Sequence, residues 1–493
     1  MYFVRAISSK LDKTRQLAVL MLVCNVTYVL WLSFHIVGIL GLLFLILEIF
    51  VMCVGVLFSI NHWTRKFVLL GGSYSLRSSL DVFVPTVNEP LTILEKTMAA
   101  AANIEYPQKH LYLLDDGGRD EVKQLAKKYG YTYLRRPVTG TRRYKAGNLN
   151  YGLEHSNSPF VLTIDADNVV EPTVADDLMG HFSDPKIAFV ASRQEYVAEE
   201  DDFNHDHLFY NHMQTGKNAN TAAISCGSGV IYRRSALNDI GGFSEWNLVE
   251  DLHTSYILQS KGYQSIYVSQ PYVRGLAPKD ISAIYKQRGT WAVDTLRILY
   301  WDSPLSKKGL SFRQRLHYFE MAYCYLVSGI FFPLIYMINF YTLYSDNVIQ
   351  NGGLWYIVFR LPALLATTWF FGYLGRGQLT SRVWTGLFPV YAKAAFLALF
   401  FRRNKPRYKV TPKVDKGSRE ILLVMPQILF IAVGVAGIIF NFAVYGMSLL
   451  LAFSGFWTVV MAYWLLPIIL KSLKLGKYRK EFVKVSSSIA VST

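Results

Sequence analysis

Six long apolar stretches, two near the start of the chain and four toward its end, enclose a polar region from residue 61 to 317. They cover residues 16 to 34, 37 to 60, 318 to 344, 353 to 373, 420 to 442 and 446 to 470. Each is close to the ~20 residues a helix needs to cross a bilayer. Lipid offers no partner to backbone N–H and C=O groups, so stretches of this kind are spanning helices that close their own hydrogen bonds. The chain therefore reads as an integral membrane protein with one large water-exposed domain. The first stretch is longer than a signal-peptide core and has no small-residue cleavage site, so it reads as a retained span. Acids inside the spans are few, Glu48 and Glu320, read as lying near span ends. A transporter with an incidental polar domain would need more of them.

The net charge of +16 comes from 51 Lys and Arg against 35 Asp and Glu. Basic residues gather before the first span (Arg5, Lys10, Lys13, Arg15), in residues 374 to 419 and in the tail from Lys471 to Lys480. The connections around His35, 345 to 353 and Tyr445 carry none. Lys and Arg accumulate on the cytoplasmic side, which places both termini and residues 61 to 317 there. The same rule accounts for the basic excess with no nucleic acid as partner. Cys24, Cys53, Cys226 and Cys324 are far apart and form no Cys-x-x-Cys pair, which argues for free thiols rather than zinc ligands or a disulfide framework.

Within the polar region, apolar runs at 81 to 85, 110 to 114, 160 to 164 and 187 to 190 alternate with helix-length segments. Such runs read as buried parallel strands of an α/β sheet. Two of them end in aspartates, in Asp115-Asp116-Gly117-Gly118 and in Asp165-Ala166-Asp167. Ligands of open α/β sheets bind beyond the carboxyl ends of strands, so these carboxylates are expected in one crevice. An Asp-x-Asp at a strand end suits a hard cation, Mg²⁺ or Mn²⁺, which takes one or two protein carboxylates and leaves its other positions to phosphate. Thr86-Val87-Asn88-Glu89-Pro90 offers polar groups for a base or ribose. Lys145, in Lys-Ala-Gly-Asn, offers a cation for phosphate. Glu250-Asp251 precedes a helical pattern, a position that favours carboxylates and suits a general base. If the stretch from Tyr285 to Trp291 is helical, Gln287, Thr290 and Trp291 share a face, and an indole is a stacking platform for a sugar ring. Residues 279 to 312 and 380 to 402 read as helices along the membrane face, and residues 403 to 419 as a loop.

In this order the motifs resemble the processive family 2 glycosyltransferases, above all the bacterial cellulose synthase group, over roughly residues 80 to 420. Cys226-Gly227-Ser228 resembles the family's acceptor-side segment, and Arg407 to Lys413 its FxVTxK gating loop. The resemblance implies a GT-A-type α/β domain inserted in a six-helix membrane region. Its expected divisions are residues 1 to 61 (two spans), 62 to 278 (the transferase domain), 279 to 317 (interface helices) and 318 to 493 (four spans with the gating loop at 403 to 419). It further implies a multi-pass protein of the plasma membrane that takes UDP-glucose, holds a growing polysaccharide and extrudes it through its own channel. On this resemblance Asn88, Glu89 and Asp116 contact the uridine side, Lys145 the diphosphate, and Asp165 with Asp167 the nucleotide and metal. Asp251, beside Glu250, is the base of an inverting displacement. Gln287, Arg288 and Trp291 belong to the motif that holds the polymer end, and Thr411 with Lys413 closes over nucleotide. Regulation and onward export are expected to fall to accessory subunits.

Three positions depart from the family pattern: Thr290 stands for the arginine before the tryptophan, Val249 for a threonine, and Val87 for an aromatic. They cluster around donor and acceptor, which leaves β-1,3, β-1,4 and mixed linkages as products. The alternatives are a hyaluronan- or chitin-type synthase using UDP-N-acetyl sugars and a nonprocessive transferase to a lipid carrier.

Overall fold

The computed structural model describes residues 2–68, 78–137, 144–198, 204, 206–278, 280–402 and 420–473, with side chains from residue 13 onward. Between the second and third spans lies an eight-stranded sheet: β1 (Leu80–Thr86), β2 (Lys109–Asp115), β3 (Thr132–Leu134), β4 (Phe160–Thr163), β5 (Asn168–Val170), β6 (Ile187–Val197), β7 (Val230–Arg233) and β8 (Gln264–Leu276). The strand order is β3-β2-β1-β4-β7-β6-β8-β5. Every residue of β1 and β4 is buried, as expected of near-continuous apolar strands covered on both faces. One face packs Leu94, Met98, Val122 and Leu178 from the helices Leu91–Ala102, Asp120–Lys128 and Val174–Met179. The other packs Leu149, Leu237 and Leu258 from Tyr144–Glu154, Arg234–Asp239 and Glu250–Ser260.

The four runs expected as strands are β1, β2, β4 and β6, but the sheet is mixed rather than parallel. β1 runs parallel to β2 and β4, whereas β7 inserts antiparallel between β4 and β6. β3 and β5 have three residues each, too short to leave a periodic signal in sequence.

Among the described residues, six helices are long and apolar enough to cross a membrane: Lys13–Ser33, Gly38–Asn61, Phe312–Ser345, Trp355–Leu374, Glu420–Tyr445 and Leu449–Leu473. They coincide with the six apolar stretches of the sequence. The third carries a π-helical turn at Val327–Phe331, a local widening that re-aims side chains. The interface segments are shorter than expected. Ile281–Trp301 ends before Pro304, which has no N–H to donate and disfavours helix in the residue before it. The second is split into Leu379–Gly386 and Phe388–Phe400, bent by 53°, with Pro389 in the first turn of the second piece.

Buried polar contacts join the second span to the third and fix the sheet domain to the third. Glu320 of the third span accepts from Asn61 Nδ2 at 2.5 Å and faces His62 Nε2 at 3.0 Å, both from the end of the second span. Lys217, fully buried in the sheet domain, donates to the His317 carbonyl at 2.9 Å. Burial lowers its pKa to about 8, with Glu320 pulling the other way.

Asp81 anchors the start of β1. Its buried carboxylate accepts from Ser158 N at 2.9 Å, Ser158 Oγ at 2.7 Å and Arg234 Nη2 at 2.7 Å. Asp81→Ala would take the counter-ion from the Arg234 guanidinium, which keeps its bonds to the Leu153 and Ser158 carbonyls, an effect worth about 3 kcal/mol. It is expected to lower the unfolding midpoint of the detergent-solubilised protein by several degrees; an unchanged midpoint would show that this pair contributes nothing.

Candidate active site

The carboxyl end of β1 leads into Thr86-Val87-Asn88-Glu89-Pro90. There Glu89 Oε2 folds back to accept from Val87 N at 2.8 Å, Asn88 N at 3.2 Å and Thr86 Oγ1 at 2.7 Å, which shapes the loop and leaves Asn88 exposed. Arg119 clamps the same loop by donating to the Glu89 carbonyl at 2.6 Å and to Thr86 Oγ1 at 3.0 Å. At the end of β2 the two neighbouring aspartates divide their work. Asp115 is buried and builds the turn, accepting from Gly117 N, Arg119 N and Tyr133 OH at 2.8, 2.9 and 3.0 Å. Asp116 faces the cavity and takes a two-pronged contact from Arg136, at 2.6 and 2.7 Å. A Cβ on Gly117 would run into the Val87 carbonyl oxygen, so glycine is what lets the two loops close on each other.

Lys145, on the helix Tyr144–Glu154, draws the remaining acidic motifs together. Its Nζ lies 2.6 Å from Asp165 Oδ1, 3.0 Å from Glu250 Oε1 and 3.3 Å from the Gly227 carbonyl. Burial works against its charge, but Asp165, Glu250 and Asp251 hold its pKa well above the ordinary lysine value. Burial pushes Asp165 up to about 6, with Asp167 adding to the rise and Lys145 opposing it. Asp251 is raised first by burial and next by the adjacent Glu250, again against Lys145. The amide of Asp165 donates to Ser228 Oγ at 3.0 Å, so Ser228 is a buried support rather than a cavity wall. Gln194 Nε2 bridges the carbonyls of Cys226 and Ser228, at 2.9 Å each. Between them Gly227 takes φ +78°, and a Cβ there would sit 2.8 Å from Asp251 Oδ2 and 2.9 Å from Lys145 Nζ.

Glu250 and Asp251 open the helix Glu250–Ser260, as the sequence implies. The helix start is tethered from the interface helix, where Asp294 accepts from Val249 N at 2.7 Å, and this frees Glu250 to meet Lys145. The same interface helix presents Gln287, Thr290 and Trp291 to the cavity. Arg288 is bound at both ends: its Nη2 reaches Asp206 at 2.7 and 2.8 Å, and its guanidinium lies over the Trp291 ring, 4.9 Å from the centroid. Thr411 and Lys413 of the gating loop lie outside the described residues.

One cavity of about 1340 Å³ is lined by Asn88, Glu89, Asp116, Lys145, Asp165, Asp167, Cys226, Glu250, Asp251, Gln287, Arg288 and Trp291. It continues without interruption between the spans to Ser328, Phe332, Arg360 and Trp464. Arg136, Gln194, Asp206 and Asp294, which hold these side chains in place, carry no motif of their own. Only their contacts in the fold reveal them.

Residues 81–241 match the family described as glycosyl transferase family 2. The sheet domain is a family 2 glycosyltransferase domain. The chain is 35% identical over 268 residues to the UDP-forming cellulose synthase catalytic subunit of Xanthomonas axonopodis pv. citri (strain 306), covering 52% of this chain and 36% of that protein. It is 29% identical over 388 residues to that of Pseudomonas fluorescens (strain SBW25), covering 74% and 51%. It is also 29% identical over 382 residues to cellulose synthase 1 of Komagataeibacter xylinus, covering 71% and 24%. The chain thus spans between a quarter and a half of the length of these relatives. A mannosyltransferase from Pyrobaculum calidifontis, solved with GDP-Man and Mn²⁺, shares the GT-A fold at 19% identity and a TM-score of 0.55, over 73% of this chain and 99% of that one.

Gly227→Ala would place a methyl group against Asp251 and Lys145 on a left-handed backbone, at a cost of about 1–2 kcal/mol. Sugar transfer is expected to fall about tenfold or more, while the unfolding midpoint moves only slightly. Wild-type transfer rates in this variant would show that the Lys145 cluster tolerates displacement.

Proposed function

We propose that this chain is a processive β-glucan synthase that polymerises glucose from UDP-glucose and passes the product through its own membrane region. The observation that carries the reading is the continuous cavity. One volume holds the nucleotide-facing loops, the Glu250-Asp251 pair, Trp291 and the inner faces of the spans. A transferase that released a water-soluble product would have no need for its reaction site to open between membrane helices. The relatives of similar sequence are cellulose synthases, which supports a polymer product made by the same chemistry.

Asn88 and Asp116 would face the uridine, and Lys145 the diphosphate. Glu89 and Ser228 would act as positioning residues, Glu89 for the loop that carries Asn88 and Ser228 for Asp165. Asp165 and Asp167 line the cavity together, and two hard oxygen donors beside a lysine suit a divalent cation with a diphosphate. These two would hold Mg²⁺ or Mn²⁺, which when bound neutralises the leaving diphosphate. His62, His317 and Glu320 also bring ligand atoms within 4.8 Å of one another, but Glu320 is already engaged by Asn61 and His62 in the contact between the second and third spans. The Asp-x-Asp pair is therefore the better candidate.

Asp251 would take the proton from the acceptor hydroxyl, whose oxygen then attacks the anomeric carbon as UDP departs from the opposite face, inverting the configuration. A buried carboxylate with a raised pKa is the better base, because it holds the proton it removes. Trp291 would stack under the terminal sugar, held flat by Arg288, and Gln287 would hydrogen-bond it. The catalytic domain and both termini would lie in the cytoplasm, where Lys and Arg gather.

The test is incubation of the purified protein with radiolabelled UDP-glucose and Mg²⁺ or Mn²⁺, then digestion with linkage-specific glucanases. A polymer cut by one of them is expected; polymer from UDP-N-acetylglucosamine alone would overturn the donor. Asp251→Asn is expected to lower transfer by about 10²–10⁴-fold with UDP binding retained, and persistent synthesis would remove Asp251 from the base role. Transfer needs Asp251 deprotonated, so it should fall as pH drops through a midpoint above the ordinary carboxylate range. Glu250→Gln removes the negative charge beside it and should move that midpoint to lower pH; a shift upward would contradict the assignment.

A further inference from the structure

A second cavity, of about 320 Å³, lies further along the spans and is lined by Tyr336, Asn339, Tyr356, Trp457 and the connection residues Gln350 and Asn351. It meets the first cavity at a shared set of walls: Glu48, Val51, Phe332, Arg360, Leu364 and Trp464. Two of these are charged. Glu48 lies near the middle of the span Gly38–Asn61 rather than near its end, and Arg360 belongs to the span Trp355–Leu374. Arg360 Nη2 stands 2.9 Å from Glu48 Oε1, with the carboxylate side chain 3% exposed and the guanidinium side chain 15%.

Charged side chains at membrane depth are costly and are kept where a polar path needs them. This pair joins two different spans at the place where the two cavities meet. The guanidinium is held flat between the rings of Tyr28, 4.8 Å away, and Trp457, 5.1 Å away, which come from two further spans. Its buried Nε has no hydrogen-bond partner among the described residues. The arrangement thus offers acceptor oxygens, an unused donor and aromatic faces to whatever passes. A polysaccharide chain, with hydroxyls along its edges and C–H faces on its rings, matches all three.

We propose that the Glu48–Arg360 pair is a polar gate on the export path. With no chain threaded, the two side chains bond to each other across the junction and close it. When a glycan arrives, Glu48 accepts and Arg360 donates hydrogen bonds to sugar hydroxyls, so each ion exchanges its partner for sugar and is never left bare in the membrane. The proposal rests on the polymer-export reading above, and it adds a site that the motifs do not contain.

The test uses the full chain reconstituted in lipid vesicles, with two readouts. The first is potassium flux through vesicles given no nucleotide sugar, and the second is the length of polymer made at equal sugar incorporation. Glu48→Gln and Arg360→Gln are expected to raise the flux and to shorten the polymer about tenfold, the order expected for loss of one hydrogen bond to a charged group. Leu364→Trp narrows the junction without removing either charge, and is expected to shorten the polymer without raising the flux. Folded Glu48→Gln protein with wild-type flux and wild-type polymer length would overturn the gate. Full-length polymer from Leu364→Trp would place the path elsewhere and overturn it equally, even if the charge variants failed to fold. Wild-type protein that makes no polymer from any nucleotide sugar would instead refute the export reading, while the flux measurement would still decide whether the pair seals the junction.

Discussion

The Lys145 ammonium is the interaction on which the rest of the site depends. Three carboxylates from two segments remote in sequence lie within a few ångströms of one another in a partly buried cavity: Asp165 after β4, and Glu250 and Asp251 at the start of a helix. Like charges so placed repel, and the raised positions of Asp165 and Asp251 on the pH scale record that cost. A single cation among them makes the cluster tenable, and its backbone surroundings are built to fit. Gly227 leaves no side chain between Asp251 and Lys145, and Ser228 fixes the amide of Asp165 from below. A cluster held by one lysine can also be rearranged when phosphate or metal offers that lysine and those carboxylates new partners.

The second constraint is mechanical. A polymer that grows into a membrane passage stays in register only if the reaction site does not shift relative to the helices. Asp294 bonds to the helix carrying Glu250 and Asp251 from the helix that carries Trp291, so the proposed base and the proposed acceptor platform share one support. Below them Asn61 and His62 tie the end of the second span to the third, and Lys217 joins the domain to the third span. The price is a set of charged groups taken out of water, which are retained because each is paired.

Much of this was legible in the sequence because it rests on local chemistry. Apolar length announced all six spans, and buried runs announced β1, β2, β4 and β6. The aspartates at strand ends pointed to one crevice, and the cavity does gather Asp116, Asp165 and Asp167, with Glu250 and Asp251 beside them but without Asp115. What stayed hidden depends on partners far away in the chain. The antiparallel entry of β7 is decided by packing rather than by its own four residues. That Asp115 would build the turn while Asp116 faced the cavity could not be told from two identical neighbouring residues. Glu48 looked like a span-end acid because its meaning lies in Arg360, more than three hundred residues later.

The central claim is that reaction site and membrane passage form one path for a growing glycan. The most direct test is electron cryomicroscopy of the enzyme halted during synthesis by exhausting its nucleotide sugar. The account predicts continuous sugar density from beside Asp251, over Trp291, to the Glu48–Arg360 junction. Product density leaving the domain sideways into water, with the space between the spans empty, would contradict it.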